Sequence, residues 1–119
     1  MTHPMKTPPR LITGNDLIYH PRFAYGDQAQ IAEISGTGDG TKLGTGFVAM
    51  SDAEIPWTVQ YDEMLLVLEG TITVRTDQGD LVAGPRESIW LPAGTKLTYI
   101  AKRALVFYAI EPANWTDAT

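Results

Sequence analysis

From Ala29 to Ile110 the chain is cut by turn residues into short β-favouring segments, and no stretch of ten or more residues carries a helical period. That pattern leaves an antiparallel barrel or sandwich as the expected architecture. The predicted strands are Gln30 to Ser35, Leu43 to Met50, Trp57 to Gln60, Met64 to Glu69, Thr71 to Thr76, Leu81 to Ala83, Ser88 to Leu91, Lys96 to Ile100 and Ala104 to Ile110. Asp77-Gln78-Gly79-Asp80 reads as a hairpin loop and Pro92-Ala93-Gly94-Thr95 as a tight turn, because proline presets one backbone angle and glycine permits positive φ. The alternating glycines of Ser35-Gly36-Thr37-Gly38-Asp39-Gly40 would cradle a phosphate only if they opened a helix. A strand follows them instead, so a hairpin connection is expected.

At 119 residues the chain has room for one core. We expect a flexible arm over residues 1–12, a single domain over 13–115 and a frayed tail over 116–119. Region 13–26 is rich in aromatics and punctuated by proline, without a period, and is expected to pack across the barrel or against a partner. A net charge of −5 opposes binding to a phosphate backbone, so nucleic acid is not an expected partner. Lys102-Arg103, the closest basic pair, reads as a solvated turn. No apolar run is long enough to span a bilayer, so no membrane partner is expected either. The opening MTHPMKTPPR has no apolar core of a secretory signal, which makes the cytoplasm the expected location. The chain contains no cysteine, which rules out disulfides, thiolate ligands and a cysteine nucleophile.

The stretch WTVQYDEMLLVLEG, residues 57–70, holds the chemistry. Read as a continuous strand, it places Trp57, Val59, Tyr61, Glu63, Leu65 and Val67 on one face and Thr58, Gln60, Asp62, Met64, Leu66 and Leu68 on the other. After Glu63 both faces are apolar, which means both are covered. A small barrel fills only its inner face, so Met64, Leu66 and Leu68 call for a second layer. A homodimer is the expected cover, with the N-terminal arm as the alternative. Glu63 interrupts the inward face, and an inward carboxylate must be paired, metal-bound or protonated. Tyr61, two residues away on the same face, can bond to Glu63 or to a ligand shared with it.

Glu63, six intervening residues and Gly70, with Val67-Leu68-Glu69-Gly70 ending the strand, resemble the second half of cupin motif one. Ile89-Trp90-Leu91-Pro92-Ala93-Gly94-Thr95 resembles the P-x-G core of cupin motif two. The resemblance implies an all-β double-stranded β-helix, a jelly-roll barrel, over roughly Leu43 to Ile110. It also implies a metal site of three histidines and the motif-one glutamate. The matching positions here hold Trp57, Val59, Glu63 and Leu97, and a one-residue shift of the first pair gives Pro56 and Thr58. Only the glutamate can ligate, so no metal and no other cofactor is expected. The histidines, His3 and His20, lie far from both motifs, and a relocated site built from His20 and Glu63 is the alternative.

A closer likeness runs to the end of the chain. Pro56-Trp57-Thr58, Tyr61-Asp62-Glu63, Val67-Leu68-Glu69-Gly70 and Pro112-Ala113-Asn114-Trp115 resemble the cupin domain of ethanolamine-utilization proteins of the EutQ type. That resemblance implies a dimer without the cupin histidines, associated with ethanolamine catabolism in bacterial microcompartments. An acetate kinase activity has been proposed for the family.

Three functions fit these residues. In the first, the barrel binds a small polar molecule through Tyr61 and Glu63, with Trp57, Trp90 and Tyr99 forming an aromatic wall. In the second, Glu63 and Tyr61 are catalytic, acting in metal-independent acid/base chemistry. In the third, the chain is a dimeric assembly module whose purpose lies in its outer surface and Trp115. Phosphoryl transfer is harder to support, because the sequence clusters no lysines and arginines to meet the phosphates.

Overall fold

The computed structural model describes residues 6–118, with the side chains of residues 117–118 left out of the description. Eight antiparallel strands make up almost all of it: β1 (His20–Pro21), β2 (Ala29–Ser35), β3 (Gly44–Thr58), β4 (Asp62–Gly70), β5 (Ile72–Thr76), β6 (Gly79–Ala83), β7 (Ser88–Leu91) and β8 (Lys96–Glu111). The remaining regular elements are short 3-10 turns, including Phe23–Tyr25, Thr37–Asp39 and Trp115–Ala118. The all-β expectation therefore holds. Among the described residues no helix is long and apolar enough to cross a membrane.

The long antiparallel ribbon of β3 and β8 is the spine, paired from Gly44↔Ile110 to Thr58↔Lys96. On its other edge β8 changes neighbour along its length. Thr98 to Ile100 pair with β5, and Ala104 to Glu111 pair with β4. That change of partner wraps the sheet into a barrel, with β2 and β1 continuing beyond β3 and β7 beyond β4.

Two pairs of predicted strands merge into these single long ones. Between the expected strands Leu43 to Met50 and Trp57 to Gln60 lies Pro56, which cannot donate to a ladder. In the fold, β2 accompanies β3 only as far as Met50, so beyond it one edge of β3 is free of strand partners and tolerates the missing N–H. Lys102 and Arg103, read from sequence as a turn, sit within β8 with both side chains exposed. They lie where β8 passes from β5 to β4, and strand pairing with β3 carries the chain straight through.

The punctuation behaves as its chemistry demands. Thr37–Asp39 is a 3-10 turn closed by Gly40 in the left-handed region, and it joins the paired strands β2 and β3. Gly70 ends β4 with φ 76°, and a Cβ there would strike the carbonyl of Arg103, so the position admits only glycine. The Pro92–Thr95 turn is closed by the Thr95 N–H donating to the Pro92 carbonyl, 3.2 Å. The Ala93 N–H donates to Asp62 Oδ1, 2.9 Å, tying that turn to the start of β4.

The described part of the arm is tied down. The Thr7 hydroxyl donates to Asp39 Oδ1, Arg10 pairs with the same carboxylate at 3.0 Å, and Arg10 Nη2 donates to the Ile34 carbonyl. Inside the barrel Ile55, Val59, Val67, Ile72, Val74, Leu91 and Val106 are almost fully buried. They fill the lumen, and two of them, Ile72 and Val106, also line the cavity that holds the site.

Candidate functional site

Side-chain alternation holds through the quoted stretch even though β3 ends at Thr58 and β4 begins at Asp62. Val59, Tyr61, Glu63, Leu65 and Val67 are buried, while Gln60, Asp62 and Met64 are exposed. Glu63, on β4, is 6% exposed. Tyr99 reaches it from β8 across the lumen, donating its hydroxyl to Glu63 Oε1 at 2.7 Å. Tyr61 makes no such bond. Tyr61 and Glu63 are neighbours two residues apart on one inward face, about 7 Å apart along the strand direction, so their side chains run side by side. Tyr99 approaches from the opposite wall.

These residues line a cavity of about 230 Å³, whose walls also include Leu65, Ile72, Val106 and Tyr108. Arg22, which lay in the aperiodic region of the sequence, contributes to it as well. After β1, the Arg22 N–H donates to the Ala29 carbonyl and the Tyr25 N–H donates to the Arg22 carbonyl. Phe23 between them takes a positive φ of 49°. That tight turn directs the Arg22 side chain into the barrel mouth, where it is 8% exposed. Its guanidinium carbon lies 5.0 Å from the Trp57 ring centre, 5.6 Å from Phe23 and 5.9 Å from Tyr99. Phe23, Trp57, Tyr61 and Trp115 form a contiguous aromatic cluster over the mouth, with Trp115 edge-on to Trp57 at 5.8 Å. Within region 13–26, Arg22, Phe23 and Tyr25 thus pack against the barrel of their own chain.

The electrostatics are those of a desolvated site. Burial pushes the Glu63 carboxyl up from its ordinary value, opposed by the Tyr99 hydrogen bond and the nearby charge of Arg22. The Tyr61 phenol is pushed up to about 12, first by burial and then by Glu63. Tyr99 is raised well above the usual phenol value, again by burial first. Two buried donors, Arg22 Nη1 and Trp57 Nε1, meet no acceptor in good hydrogen-bond geometry among the described residues, although the Tyr61 hydroxyl lies close enough to both that they oppose the rise of its phenol.

The other sequence-predicted residues divide. Trp57 is not part of the cavity wall: its ring stands over the mouth among Phe23, Tyr61 and Trp115 and borders an outer groove with Pro56 and Thr58. Trp90 does not belong to the wall: on β7 the residues facing inward are Ile89 and Leu91, and Trp90, between them, points outward and is 54% exposed. Of the alternative metal ligands, His20 is exposed on β1 and absent from the cavity wall, and His3 lies outside the described residues. Trp57 pairs with Leu97 in the β3–β8 ladder, and Val59 and Leu97 are buried packing residues. A carboxylate met by a phenol and a guanidinium is not a donor set for a cupin metal. Among the described residues no three His, Cys, Asp or Glu side chains gather elsewhere.

The comparisons with known proteins bear on the whole of this barrel. Over 78 residues the chain is 33% identical to the acetate kinase EutQ of Escherichia coli, covering 65% of this chain and 34% of that one. The chain thus spans about a third of that relative's length. The crystal structure of ethanolamine utilization protein Q from Salmonella typhimurium superposes with a TM-score of 0.81 at 24% identity, covering 87% of this chain and 86% of the other. An RmlC-like cupin from Shewanella frigidimarina superposes with a TM-score of 0.74 at 14% identity, covering 97% and 100%. At those identities the likeness speaks for the fold, which is the cupin barrel. The family model of ethanolamine utilisation protein EutQ matches residues 23–117, from the aromatic mouth through β8 to Trp115, and the chain belongs to that family.

Proposed function

We propose that this chain is a cupin of ethanolamine utilisation, or of related small-molecule catabolism, that binds a small polar molecule between Tyr61, Glu63 and Tyr99 without a metal. One observation carries the reading: a buried carboxylate, held by a 2.7 Å bond from Tyr99, stands in the wall of a cavity of about 230 Å³ that is otherwise largely apolar. Apolar walls with a few placed polar groups are the composition of a small-molecule site. Trp57 supports it from the mouth.

Acid/base catalysis is the second reading. It draws on the upward displacement of Glu63, which favours a carboxyl able to hold a proton nearer neutrality. The kinase activity in the name of the Escherichia coli relative belongs to a protein of which this chain matches 34%. Among the described residues Arg22 is the one basic residue lining the cavity, and the glycine run joins two strands rather than opening a helix. Transfer of a phosphoryl group ordinarily draws on more cationic stabilisation than that.

The homodimer enters the proposal through the outer face. Met64 and Trp90 are directly opposed on β4 and β7, exposed at 42% and 54%, with Leu68 farther along β4 at 39%. Beside them on the same sheet, Phe47 and Phe107 meet edge-on at 5.4 Å. Such a face suits a second copy of the chain.

A thermal-shift screen of small amines, carboxylates, sugars and nucleotides, with and without divalent metals, tests the function. Specific stabilisation of the native chain that Glu63→Gln weakens supports binding. Turnover abolished by Glu63→Gln supports the enzyme. A variant changed only in thermal stability leaves Glu63 a structural residue and defeats both.

A further inference from the structure

Resting on the small-molecule reading above, we infer that the ligand carries a carboxylate, and that Arg22 Nη1 and the Trp57 indole N–H receive it beside the Tyr61 hydroxyl. The argument begins with the two donors that lack partners. A guanidinium bears a permanent charge and an indole N–H can only donate, so neither group can be satisfied except by an acceptor. Burying such a donor without an acceptor is unfavourable, because its lost hydration is not replaced. Folding places both in one small region, since the Arg22 guanidinium lies 5.0 Å from the Trp57 ring, and both lie near the Tyr61 hydroxyl.

Two carboxylates line the cavity, and neither pairs with Arg22: Glu33 is exposed and lies toward Tyr108. Glu63 is committed to Tyr99, and its nearness to Arg22 is not close enough for a salt bridge. Around Arg22 and Trp57 the buried donors therefore outnumber the acceptors that meet them, the complement of an oxyanion. A planar carboxylate suits it, because a guanidinium presents parallel N–H groups to two oxygens at once. The rest of the ligand faces the apolar wall formed by Val48, Met50, Leu65, Ile72 and Val106. A volume of about 230 Å³ equals that of about eight liquid waters, so the body attached to the carboxylate is several carbons long or a single ring.

Titration calorimetry with matched probes tests this: pentanoate and phenylacetate, their primary amides, and the corresponding amines. The expected result is binding of a carboxylate at least about tenfold tighter than its amide, as a charge-assisted bond implies. Arg22→Met, which keeps a long side chain against the rings, should weaken the carboxylate by about tenfold to a hundredfold and leave the amide nearly unchanged. Should Arg22→Met fail to fold, Trp57→Phe takes its place, keeping an aromatic ring and removing the N–H. In the wild-type protein the Trp57 indole N–H resonance, assigned by its loss in that variant, should then move on addition of the carboxylate and not of the amide. Amides or amines that bind as tightly as carboxylates, a carboxylate affinity indifferent to Arg22→Met, or an indole resonance that responds alike to acid and amide would overturn the anion site while leaving the cavity reading intact. Absence of binding by all six probes would overturn both.

Discussion

Replacing Tyr99 by phenylalanine isolates the bond on which the site is built. The ring stays, so the packing of a residue only 4% exposed is kept, and what disappears is the hydroxyl 2.7 Å from Glu63 Oε1. A buried ionised carboxylate deprived of its donor costs about 2 to 3 kcal/mol, whereas a neutral acid in the same place loses a bond worth about 1 kcal/mol. For 119 residues the unfolding entropy is about 250 cal/mol/K, so 1 kcal/mol corresponds to about 4 °C in Tm. Tyr99→Phe should therefore lower Tm by about 8 to 12 °C where Glu63 is ionised and by about 4 °C where it is protonated. The Tyr99 bond also holds the Glu63 carboxyl down against burial, so its removal should raise the Glu63 titration midpoint further. The assay is thermal unfolding by circular dichroism from pH 4.5 to pH 9 at one protein concentration, alongside a carbon-detected NMR titration of the Glu63 carboxyl. A penalty that is the same at every pH, or a Glu63 midpoint that stays put or falls, would refute the reasoning. So would an equal penalty in a Glu63→Gln background, where the charge is already gone.

The remaining predictions concern charge and surface. Because the folded Glu63 carboxyl lies above its ordinary value of 4.5, its contribution to stability is complete below that pH and is lost as pH rises through the folded midpoint. Glu63→Gln should flatten this part of the stability profile, as read from Tm against pH, and an unaltered profile would count against a displaced Glu63. Tyr61, raised from 10.0 to about 12, follows the same sign in alkali: stability present below pH 10 should fall by about 2 to 3 kcal/mol up to pH 12. Tyr61→Phe should remove that share of the alkaline loss, measured by urea unfolding at pH 9 and pH 11.5. On the outer face, Met64→Arg together with Trp90→Arg should weaken self-association by at least about tenfold in sedimentation velocity, with the barrel's far-ultraviolet spectrum unchanged. A wild-type chain that sediments as a monomer at micromolar concentration would rule out the proposed homodimer.

The parts of this structure legible in the sequence are those governed by period and by backbone chemistry. Alternation alone placed Val59, Tyr61, Glu63, Leu65 and Val67 inward, and it survived a break between β3 and β4 that falls in the middle of the run. Gly70 and Gly94 announced turns because their backbone angles exclude most side chains, and both have positive φ. What stayed hidden depends on pairing at long range. Whether Pro56 breaks a strand depends on whether its second edge is occupied, and that is decided by where β2 ends at Met50. The orientation of Trp90 was open to the same alternation rule, since Ile89 and Leu91 beside it are the apolar residues that fill a lumen. Its aromatic character drew it into the predicted wall instead. Arg22 had no period to betray it, because a 3-10 turn and a positive φ at Phe23 set its direction. The available signal was compositional: one arginine among His20, Pro21, Phe23 and Tyr25, where aromatic faces can hold a cation.

Arg22 also explains how the barrel keeps Glu63 without imidazoles beside it. A carboxylate in the cupin position needs positive charge or hydrogen donors, or burial will drive it to the neutral acid. With Trp57, Val59 and Leu97 filling the positions where ligands would stand, the β3–β8 ladder offers Tyr99 as donor and no cation. The cation comes from outside the barrel strands, carried in on the segment after β1 and held against ring faces rather than against a carboxylate. Cation–π contact steadies a guanidinium while leaving its N–H groups free, since the ring faces accept little from them. A salt bridge to Glu63 would have satisfied both partners and closed the site. The arrangement found instead keeps a charged donor unfilled at 8% exposure, which is unfavourable for the empty barrel and favourable for whatever acceptor enters it.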